Sequence, residues 1–442
     1  MTETATRAAA RPRVVVVGGG FAGLSAVRRL RDEDVDVTLV DRHTYSTLQP
    51  LLYQVATASL NAGDVTWFLR TIRSKQKNVR VVNAAVEAMD HDAREVVLDD
   101  GQRVAYDHLV VAAGATANFF GIKGAQEHAL PLYTRSQALA IRDEVFSQLE
   151  RAAARDPDRE LRIIVVGGGA TGVETAGALA ELRNRDMAVT YPELDPARTH
   201  ITLLEMMPVL LKPFSRKAQE YALASLVERG VDVRVDTAVQ EVRPDGVVDA
   251  DGNHIPAGIV VWASGVTVHD VVSQWDLPQG KGGRVQVDDH LRVVGRDGVL
   301  AAGDIAAGPG DDALPQLAQP ALQGGRYAAG VVAARVRGEP PPPPFRYRDK
   351  GMMATIGRRA AVAQVKHLPT ITGTLAWLLW MAVHVFYLLG VRNRIATIVN
   401  LSARYVFWRH GHDAIVGETD LRGPGPGTRD RDLGLRRRRP PG

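Results

Sequence analysis

Two copies of one glycine-rich pattern constrain this chain more than any other feature of its sequence. In the first copy, the valines at 14–17 lead into Gly18, Gly20 and Gly23, and apolar residues then recur with helical spacing. The next apolar run ends at Asp41, 21 residues beyond Gly20. This order of strand, glycine turn, helix and acid is typical of a dinucleotide-binding unit, in which the turn admits a pyrophosphate and the acid binds ribose hydroxyls.

The second copy follows an apolar run at 162–166. Its glycines are Gly167, Gly169 and Gly172. Its acid is Glu205, which lies 36 residues beyond Gly169, whereas about 20 residues are usual. We interpret the polar stretch at 184–198 as an insertion before the strand that carries Glu205. The sequence therefore predicts an α/β protein with two Rossmann-like dinucleotide-binding domains.

Three further apolar runs are predicted to be buried strands that end at small residues. The first reaches Ala113 and Gly114, the second reaches Gly265, and the third reaches Gly303 and Asp304. We assign the first and third of these strands to the first domain and the second to the second domain. The predicted boundaries are 13–158 and 266–339 for the two parts of the first domain and 159–265 for the second.

Composition excludes several kinds of chemistry. The 442 residues include no cysteine, which excludes disulfide frameworks, thiolate zinc sites and redox mechanisms that use cysteine pairs. Any electron transfer must therefore use a bound cofactor, and we predict no metal site. A net charge of +4 does not by itself indicate nucleic acid, so we expect no nucleic-acid partner. Residues 1–13 lack the apolar segment of a secretory signal, so the cytoplasmic side is expected.

The C-terminal part has a different composition, which begins after five prolines at 340–344. Leu375 to Val391 is an apolar stretch of 17 residues with His384 near its middle, and a membrane span needs about 20. Arg392 and Arg394 follow and suit anionic headgroups. We predict one helix here, within a membrane-associating region, that lies in the interface plane or in a dimer contact, and a transmembrane span is the alternative. The predicted boundaries are 345–412 for this region and 413–442 for a basic, disordered tail.

Four short motifs give the chain a resemblance to a known family. They are 51–57 (LLYQVAT), 318–323 (AQPALQ), 349–351 (DKG) and 376–380 (AWLLW). With the two glycine patterns, the chain resembles the single-subunit type II NADH:quinone oxidoreductases, which belong to the two-dinucleotide-binding-domain flavoproteins, over about residues 13–408. Proteins of similar fold that reduce disulfides or oxidise sulfide need catalytic cysteines, which are absent here.

The resemblance implies non-covalent FAD at the first glycine pattern and NADH at the second. The cofactor-binding residues that it implies are Gly18, Gly20, Gly23, Asp41, Ala113, Gly114, Gly303, Asp304, Ala318, Gly167, Gly169, Gly172, Glu205 and Gly265. Glu205 favours NADH over NADPH, because a carboxylate accepts hydrogen bonds from ribose hydroxyls and repels a 2′-phosphate.

The resemblance also implies four catalytic residues. Glu174 would approach the flavin and nicotinamide and handle a proton, although a glutamate in a first helical turn also suits the helix dipole. Gln319 and Gln323 share a helix face and would lie beside the flavin at the quinone pocket, or form a polar cap on a buried helix. Lys350 would stabilise reduced flavin, or extend from a strand into solvent.

The implied reaction is hydride transfer from NADH to FAD and electron transfer to a membrane quinone, feeding the respiratory chain without proton pumping. We expect a homodimer bound peripherally at the cytoplasmic face of the cell membrane, on an anionic surface. Two alternatives remain open. One is an NAD(P)H-dependent reductase of a small electron carrier such as ferredoxin, and the other is a non-enzymatic flavoprotein whose nucleotide occupancy controls its association.

Overall fold

The computed structural model describes residues 11–308 and 314–402. The tail predicted at 413–442 and the end of the region predicted at 345–412 lie outside the described residues. The α-helices are α1 (Phe21–Arg29), α2 (Leu52–Ala56), α3 (Ala125–His128), α4 (Arg135–Arg155), α5 (Ala170–Glu181), α6 (Met187–Thr190), α7 (Arg216–Glu228), α8 (Ala318–Val336), α9 (Thr374–Tyr387) and α10 (Val391–Ser402).

The first glycine pattern lies in a five-stranded parallel sheet. The strand order is Val299–Ala301, His108–Val111, Arg13–Val17, Asp36–Asp41 and Val79–Asn83. Val14–Val17 pairs in parallel with Val37–Val40 on one side and with His108–Val111 on the other. All four valines are buried, as expected for a central strand with both faces covered. The strand order reverses at Arg13–Val17, and such switch points are where parallel sheets bind ligands.

A second parallel sheet contains the second glycine pattern. Its strand order is Leu130–Pro131, Ile259–Trp262, Leu161–Val166, Thr199–Leu204 and Asp232–Arg234. The two sheets confirm the predicted α/β fold with two Rossmann-like domains. The chain enters the second sheet earlier than the boundary at 159, because Leu130 pairs in parallel with Val261.

The insertion at 184–198 is largely helical. α5 continues through a π-helical turn at Leu182–Asp186 into α6, and a 3₁₀ turn at Pro196–Arg198 leads into the strand Thr199–Leu204. The extra residues therefore lengthen the connection and leave the strand in its place beside Leu161–Val166.

Smaller antiparallel sheets and ribbons complete the two domains. They are Val86–Asp90 with Glu95–Leu98 and Arg103–Ala105, Val239–Arg243 with Gly246–Asp249 and His254–Pro256, Tyr45–Thr47 with Thr66–Phe68, and Thr116–Ala117 with Val266–Thr267. The last ribbon joins the segment that leaves the first domain to the segment that returns to it.

The C-terminal part packs on the second domain through its own sheet. The strands are Met352–Gly357, Ala360–Gln364 and Ile371–Thr372. The first of them lies against α5, where a Cβ at Gly177 would be 2.0 Å from the carbonyl oxygen of Ile356. Only glycine permits this approach, which brings the C-terminal sheet to the helix that follows the second glycine turn.

The apolar stretch predicted as one element from Leu375 to Val391 is two helices. α9 ends at Tyr387, and α10 begins at Val391 after Gly390, whose φ is +86°. A left-handed residue cannot continue a right-handed helix, and glycine adopts that conformation at little cost. Across the described ranges, no helix combines the length and the apolar character that crossing a membrane requires.

Candidate functional site

The first glycine turn connects Arg13–Val17 to α1. Gly18 has a φ of +104°, which side chains rarely tolerate. A Cβ at Gly23 would lie 1.7 Å from the carbonyl oxygen of Gly18, so α1 approaches the turn too closely for any side chain. A Cβ at Gly20, in contrast, would meet no protein atom within 4 Å. Gly20 therefore faces open space that a phosphate group at the helix N-terminus could occupy.

Asp41 closes the same turn from the end of the neighbouring strand. Its Oδ2 accepts a hydrogen bond from the Gly19 N–H at 2.5 Å, and its Oδ1 accepts one from the His43 N–H at 2.6 Å. A cavity of about 210 Å³ opens at this point. The predicted cofactor-binding residues on its wall are Gly18, Gly20, Asp41, Ala113 and Gly114.

The second glycine turn repeats the first in detail. Gly167 has a φ of +112°, and a Cβ at Gly172 would lie 1.8 Å from the carbonyl oxygen of Gly167. Gly169 again faces open space. Glu205 accepts a hydrogen bond from the Gly168 N–H, as Asp41 does in the first turn. The insertion has therefore not displaced Glu205 from the position that the pattern predicts.

The two turns open onto one cleft of about 490 Å³. The predicted site residues on its wall are Gly20, Gly114, Gly169, Glu174, Gly265, Gly303, Asp304 and Ala318. Because each turn presents an open glycine to the same cleft, these residues fit two dinucleotides whose reactive ends meet there. Within the described ranges, no group of three or more His, Asp or Glu side chains is placed to hold a metal ion.

Glu174 is a buried carboxylic acid on the wall of this cleft. It lies on α5 with 7% of its surface exposed, and its Oε1 accepts a hydrogen bond from the Thr355 N–H at 3.2 Å. Burial raises the pKa of Glu174 to about 8, although the Thr355 N–H and the indole of Trp380 oppose the shift. Glu174 is therefore protonated at neutral pH and presents an O–H donor.

Asp304 has a partner that the sequence did not reveal. The Tyr133 O–H donates to Asp304 Oδ2 at 3.1 Å, and Gln316 Nε2 donates to the Asp304 carbonyl oxygen at 3.1 Å. Burial raises the pKa of Asp304, and the hydrogen bond from Tyr133 opposes that shift. Tyr133 is followed by Thr134, the N-cap of α4, which forms a capping box with Gln137. The capping box marks the start of α4, but the contact with Asp304 spans 171 residues and has no local signal in the sequence.

His384 of α9 lies on another wall of the cleft. Trp380 packs edge-on against Tyr53 with ring centroids 6.1 Å apart, and His384 stacks on Trp380 at 4.0 Å. His384 Nδ1 donates to the Trp380 carbonyl oxygen at 2.7 Å, since a carbonyl can only accept. Burial lowers the pKa of His384 to about 4. His384 is therefore neutral, with Nε2 as a hydrogen-bond acceptor.

Three of the four predicted catalytic residues lie off the cleft wall. Gln319 is half-buried in the first turn of α8, next to Ala318, which does line the cleft. The side-chain amide of Gln323 makes two hydrogen bonds, each 3.0 Å long, with the backbone of Arg348. Lys350 is exposed. Of the four, the structure therefore brings only Glu174 to the wall of the cleft. Gln323 binds the backbone of Arg348, in the segment that carries Lys350.

Helix α10 is amphipathic in the reverse of the usual sense. Apart from the buried Leu401, its inner side is polar, because Asn393 Nδ2 donates to the Thr66 carbonyl oxygen at 2.5 Å and Asn400 Nδ2 donates to Asp64 Oδ2 at 2.8 Å. We define the apolar face as the large exposed hydrophobic side chains of α9 and α10. They are Leu375, Leu378, Leu379, Val383, Phe386, Val391, Ile395, Ile398 and Val399. These nine are half of the eighteen large hydrophobic side chains exposed in the described ranges, so exposure is concentrated on one surface.

Two protein families match successive parts of the chain. The pyridine nucleotide-disulphide oxidoreductase family matches residues 12–325, which include both glycine turns. The NDH2 C-terminal domain matches residues 350–410, which include α9 and α10.

Individual relatives cover nearly the whole chain. The type II NADH:quinone oxidoreductase Ndh of Mycobacterium tuberculosis is 35% identical over 425 residues, which cover 92% of this chain and 91% of that protein. The mitochondrial internal alternative NAD(P)H-ubiquinone oxidoreductase A1 of Arabidopsis thaliana is 30% identical over 442 residues, which cover 91% of this chain and 86% of that protein. The fold matches the structure of NDH2 from Plasmodium falciparum in complex with NADH, with a TM-score of 0.80 at 19% identity over 90% of this chain and 99% of that one.

Proposed function

The chain belongs to the family of type II NADH:quinone oxidoreductases, and from that membership we propose how its residues divide the reaction. The protein is an enzyme that oxidises NADH and reduces a quinone, and its cofactors are FAD and NADH. The reductase of a small electron carrier is not supported, because 350–410 matches the NDH2 C-terminal domain. The observation that carries the residue assignments is the single cleft onto which both glycine turns open.

The first turn would hold FAD and the second would hold NADH. Gly20 and Gly169 each leave space for a pyrophosphate, and Asp41 and Glu205 would bind the ribose hydroxyls. When bound, FAD supplies the electron transfer, because it accepts a hydride from NADH and delivers two electrons to the quinone. Asp304 would bind the part of FAD that extends into the cleft, with Tyr133 fixing its carboxylate.

Glu174 would supply a proton to the acceptor. Reduction of a quinone to a quinol consumes two protons, and a buried acid with a pKa near 8 holds one of them at neutral pH. The Thr355 N–H binds Oε1, and Glu174 lies on the wall of the cleft that the acceptor would enter.

Gln319, Gln323 and Lys350 would serve the quinone half of the reaction in different ways. The first turn of α8 has free N–H groups that favour negative charge, and Ala318 in that turn lines the cleft. Gln319, the next residue, would contact the quinone. Gln323 would act as a positioning residue, because its two hydrogen bonds to Arg348 hold the segment that carries Lys350 against α8.

The apolar face would lie on an anionic membrane surface at the cytoplasmic side of the cell membrane. Asn393 and Asn400 of α10 point inward, whereas Val391, Ile395, Ile398 and Val399 stay exposed. A lipid surface would cover them, and quinones are themselves dissolved in lipid.

We also propose a homodimer, in which the apolar faces of both copies meet the same membrane.

Stopped-flow absorbance tests the residue assignments by separating the two half-reactions. We expect Gln319→Ala to slow reoxidation of the flavin by a short-chain quinone by about fivefold, because one hydrogen bond is worth roughly 1 kcal/mol. Flavin reduction by NADH should keep its rate. Gln126→Ala is the control, because Gln126 is exposed on α3 and lines neither the 210 Å³ cavity nor the 490 Å³ cleft, so both half-reactions should keep their rates. Equal losses in both half-reactions would instead make Gln319 a flavin-positioning residue.

A further inference from the structure

A third cavity, of about 230 Å³, lies beside the apolar face and shares Phe21 with the cofactor cleft. It is enclosed by α1, by the ribbon that includes Thr66–Phe68, and by the bend between α9 and α10. The hydrophobic residues on its wall include Phe21, Leu48, Val65, Trp67, Leu322 and Phe386. Phe386 also belongs to the apolar face and is 66% exposed, so the cavity is continuous with that surface.

Two guanidinium groups line this cavity, together with the polar residues Ser46, Thr47, Thr66 and Asn393. Arg28 of α1 lies over the ring of Trp67, and Arg394 of α10 lies over the ring of Phe386, each with its Cζ 5.7 Å from the ring centroid. Arg394 Nε donates to the Leu388 carbonyl oxygen at 2.8 Å, which fixes the base of that guanidinium.

These two cations lack an anionic partner in the part of the chain that the structure describes. The ion pairs among those residues include neither Arg28 nor Arg394. Burial lowers the pKa of Arg28, and the positive charges of Arg31 and Arg394 lower it further. Two like charges on the wall of one cavity repel each other, and an anion between them would relieve that repulsion.

The chemistry of the cavity specifies its ligand. A guanidinium presents a planar fork of N–H donors that matches a phosphate, and two of them would bind one phosphate more strongly than either alone. The carbon-lined interior suits a hydrocarbon chain. The ligand therefore combines an anionic phosphate with an apolar tail.

We propose that this cavity binds one anionic phospholipid, with its phosphate between Arg28 and Arg394 and an acyl chain along Trp67 and Phe386. The proposal rests on the membrane location of the apolar face and adds to it a discrete headgroup site. Lipid bound there would also touch Phe21, which lines the cofactor cleft on its other side.

The test uses soluble lipids, so that the diffuse attraction of a charged membrane does not contribute. Calorimetry on the holoenzyme compares dihexanoyl phosphatidylglycerol with dihexanoyl phosphatidylcholine, both below their micelle concentrations. We expect one phosphatidylglycerol per chain and at least about tenfold weaker binding of phosphatidylcholine. Arg28→Gln should weaken phosphatidylglycerol binding by about tenfold, the effect of losing a charge-assisted hydrogen bond.

Arg392→Gln is the matched control, because Arg392 is exposed on α10 outside the cavity and the change removes the same charge. It should alter binding by less than about twofold. Equal binding of the two lipids, or equal losses in the two variants, would overturn the proposal. Displacement of phosphatidylglycerol by an equal concentration of inorganic phosphate would identify a free-phosphate site instead. Failure of the native holoenzyme to float with neutral phosphatidylcholine vesicles would contradict the membrane location, whatever the soluble lipids show.

Discussion

At the scale of single residues, the glycine turns separate folding from cofactor binding. A Cβ at Gly23 or Gly172 would collide with backbone less than 2 Å away, whereas a Cβ at Gly20 or Gly169 would meet nothing within 4 Å. The first pair is required by the fold itself. The second pair borders only the space that we assign to cofactors, so its substitution tests binding without disturbing the turn.

Gly20→Val should therefore give a folded protein without flavin. Its branched side chain would occupy the space for the FAD pyrophosphate and touch little of the protein. Gly169→Val, the matched variant in the second turn, should keep FAD and lose reduction by NADH. Flavin absorbance per chain and circular dichroism measure both outcomes. Full flavin content in Gly20→Val would refute the assignment of FAD to the first turn.

Glu174 should make the stability of the protein fall as pH rises. Its pKa is about 8 in the folded protein against 4.5 ordinarily, so both states hold the proton below pH 4.5. Between those values the unfolded chain releases the proton while the folded protein keeps it, and folding becomes less favourable. Glu174→Gln should therefore gain thermal stability relative to the native protein between pH 5 and pH 8.

Thermal unfolding at several pH values measures this effect. Glu87→Gln is a control at an exposed glutamate, and its difference from the native protein should be independent of pH. A pH-independent difference for Glu174→Gln as well would mean that Glu174 is charged in the folded protein and does not hold a proton for the quinone.

Some residue positions could be predicted from sequence because their causes are local. The glycine turns and Asp41 depend on a strand, a turn and a helix that follow one another directly, and the structure has them as predicted. Gln323 could not be placed, because its partner is the backbone of Arg348, beyond a run of prolines. The crossing into the second sheet at Leu130–Pro131 was missed because a two-residue strand carries no periodicity.

At the scale of elements, α10 reverses the rule that relates hydrophobic pattern to burial. An amphipathic helix normally turns its apolar side to the core, and its sequence cannot reveal that Asn393 instead faces inward to Thr66. The prediction of one helix over the apolar stretch was also wrong, because Gly390 has a left-handed conformation that ends the helix.

Ile395→Asp should release the enzyme from neutral vesicles without unfolding it. Ile395 is 57% exposed on α10, so a carboxylate there disturbs no core, yet it would have to enter lipid when the apolar face binds. We expect at least about tenfold weaker binding in a flotation assay, since burying a charged group costs more than 1.4 kcal/mol. Val227→Asp, at a similarly exposed valine of α7, should leave vesicle binding unchanged. Similar binding by both variants would show that lipid does not contact α10.

At the scale of the whole molecule, the C-terminal part contributes to the cleft between the glycine turns as well as to the apolar face. α9 carries Trp380 into contact with Tyr53 and brings His384 to the cleft. The strand Met352–Gly357 places Thr355 on Glu174. A truncation before Gly373 would therefore remove a wall of the cleft together with the apolar face, and single charge substitutions separate the two functions more cleanly.

The reversed amphipathicity of α10 has a kinetic consequence. An enzyme held flat on a bilayer searches for quinone in two dimensions. The rate of NADH oxidation should therefore follow the mole fraction of quinone among the lipids and not the amount of quinone per volume of buffer. Adding quinone-free lipid to proteoliposomes should slow NADH oxidation at constant total quinone, whereas diluting the whole suspension should leave the turnover per enzyme unchanged. Steady-state rates across both dilution series distinguish this surface dilution from capture of quinone out of solution, which would give the opposite pattern.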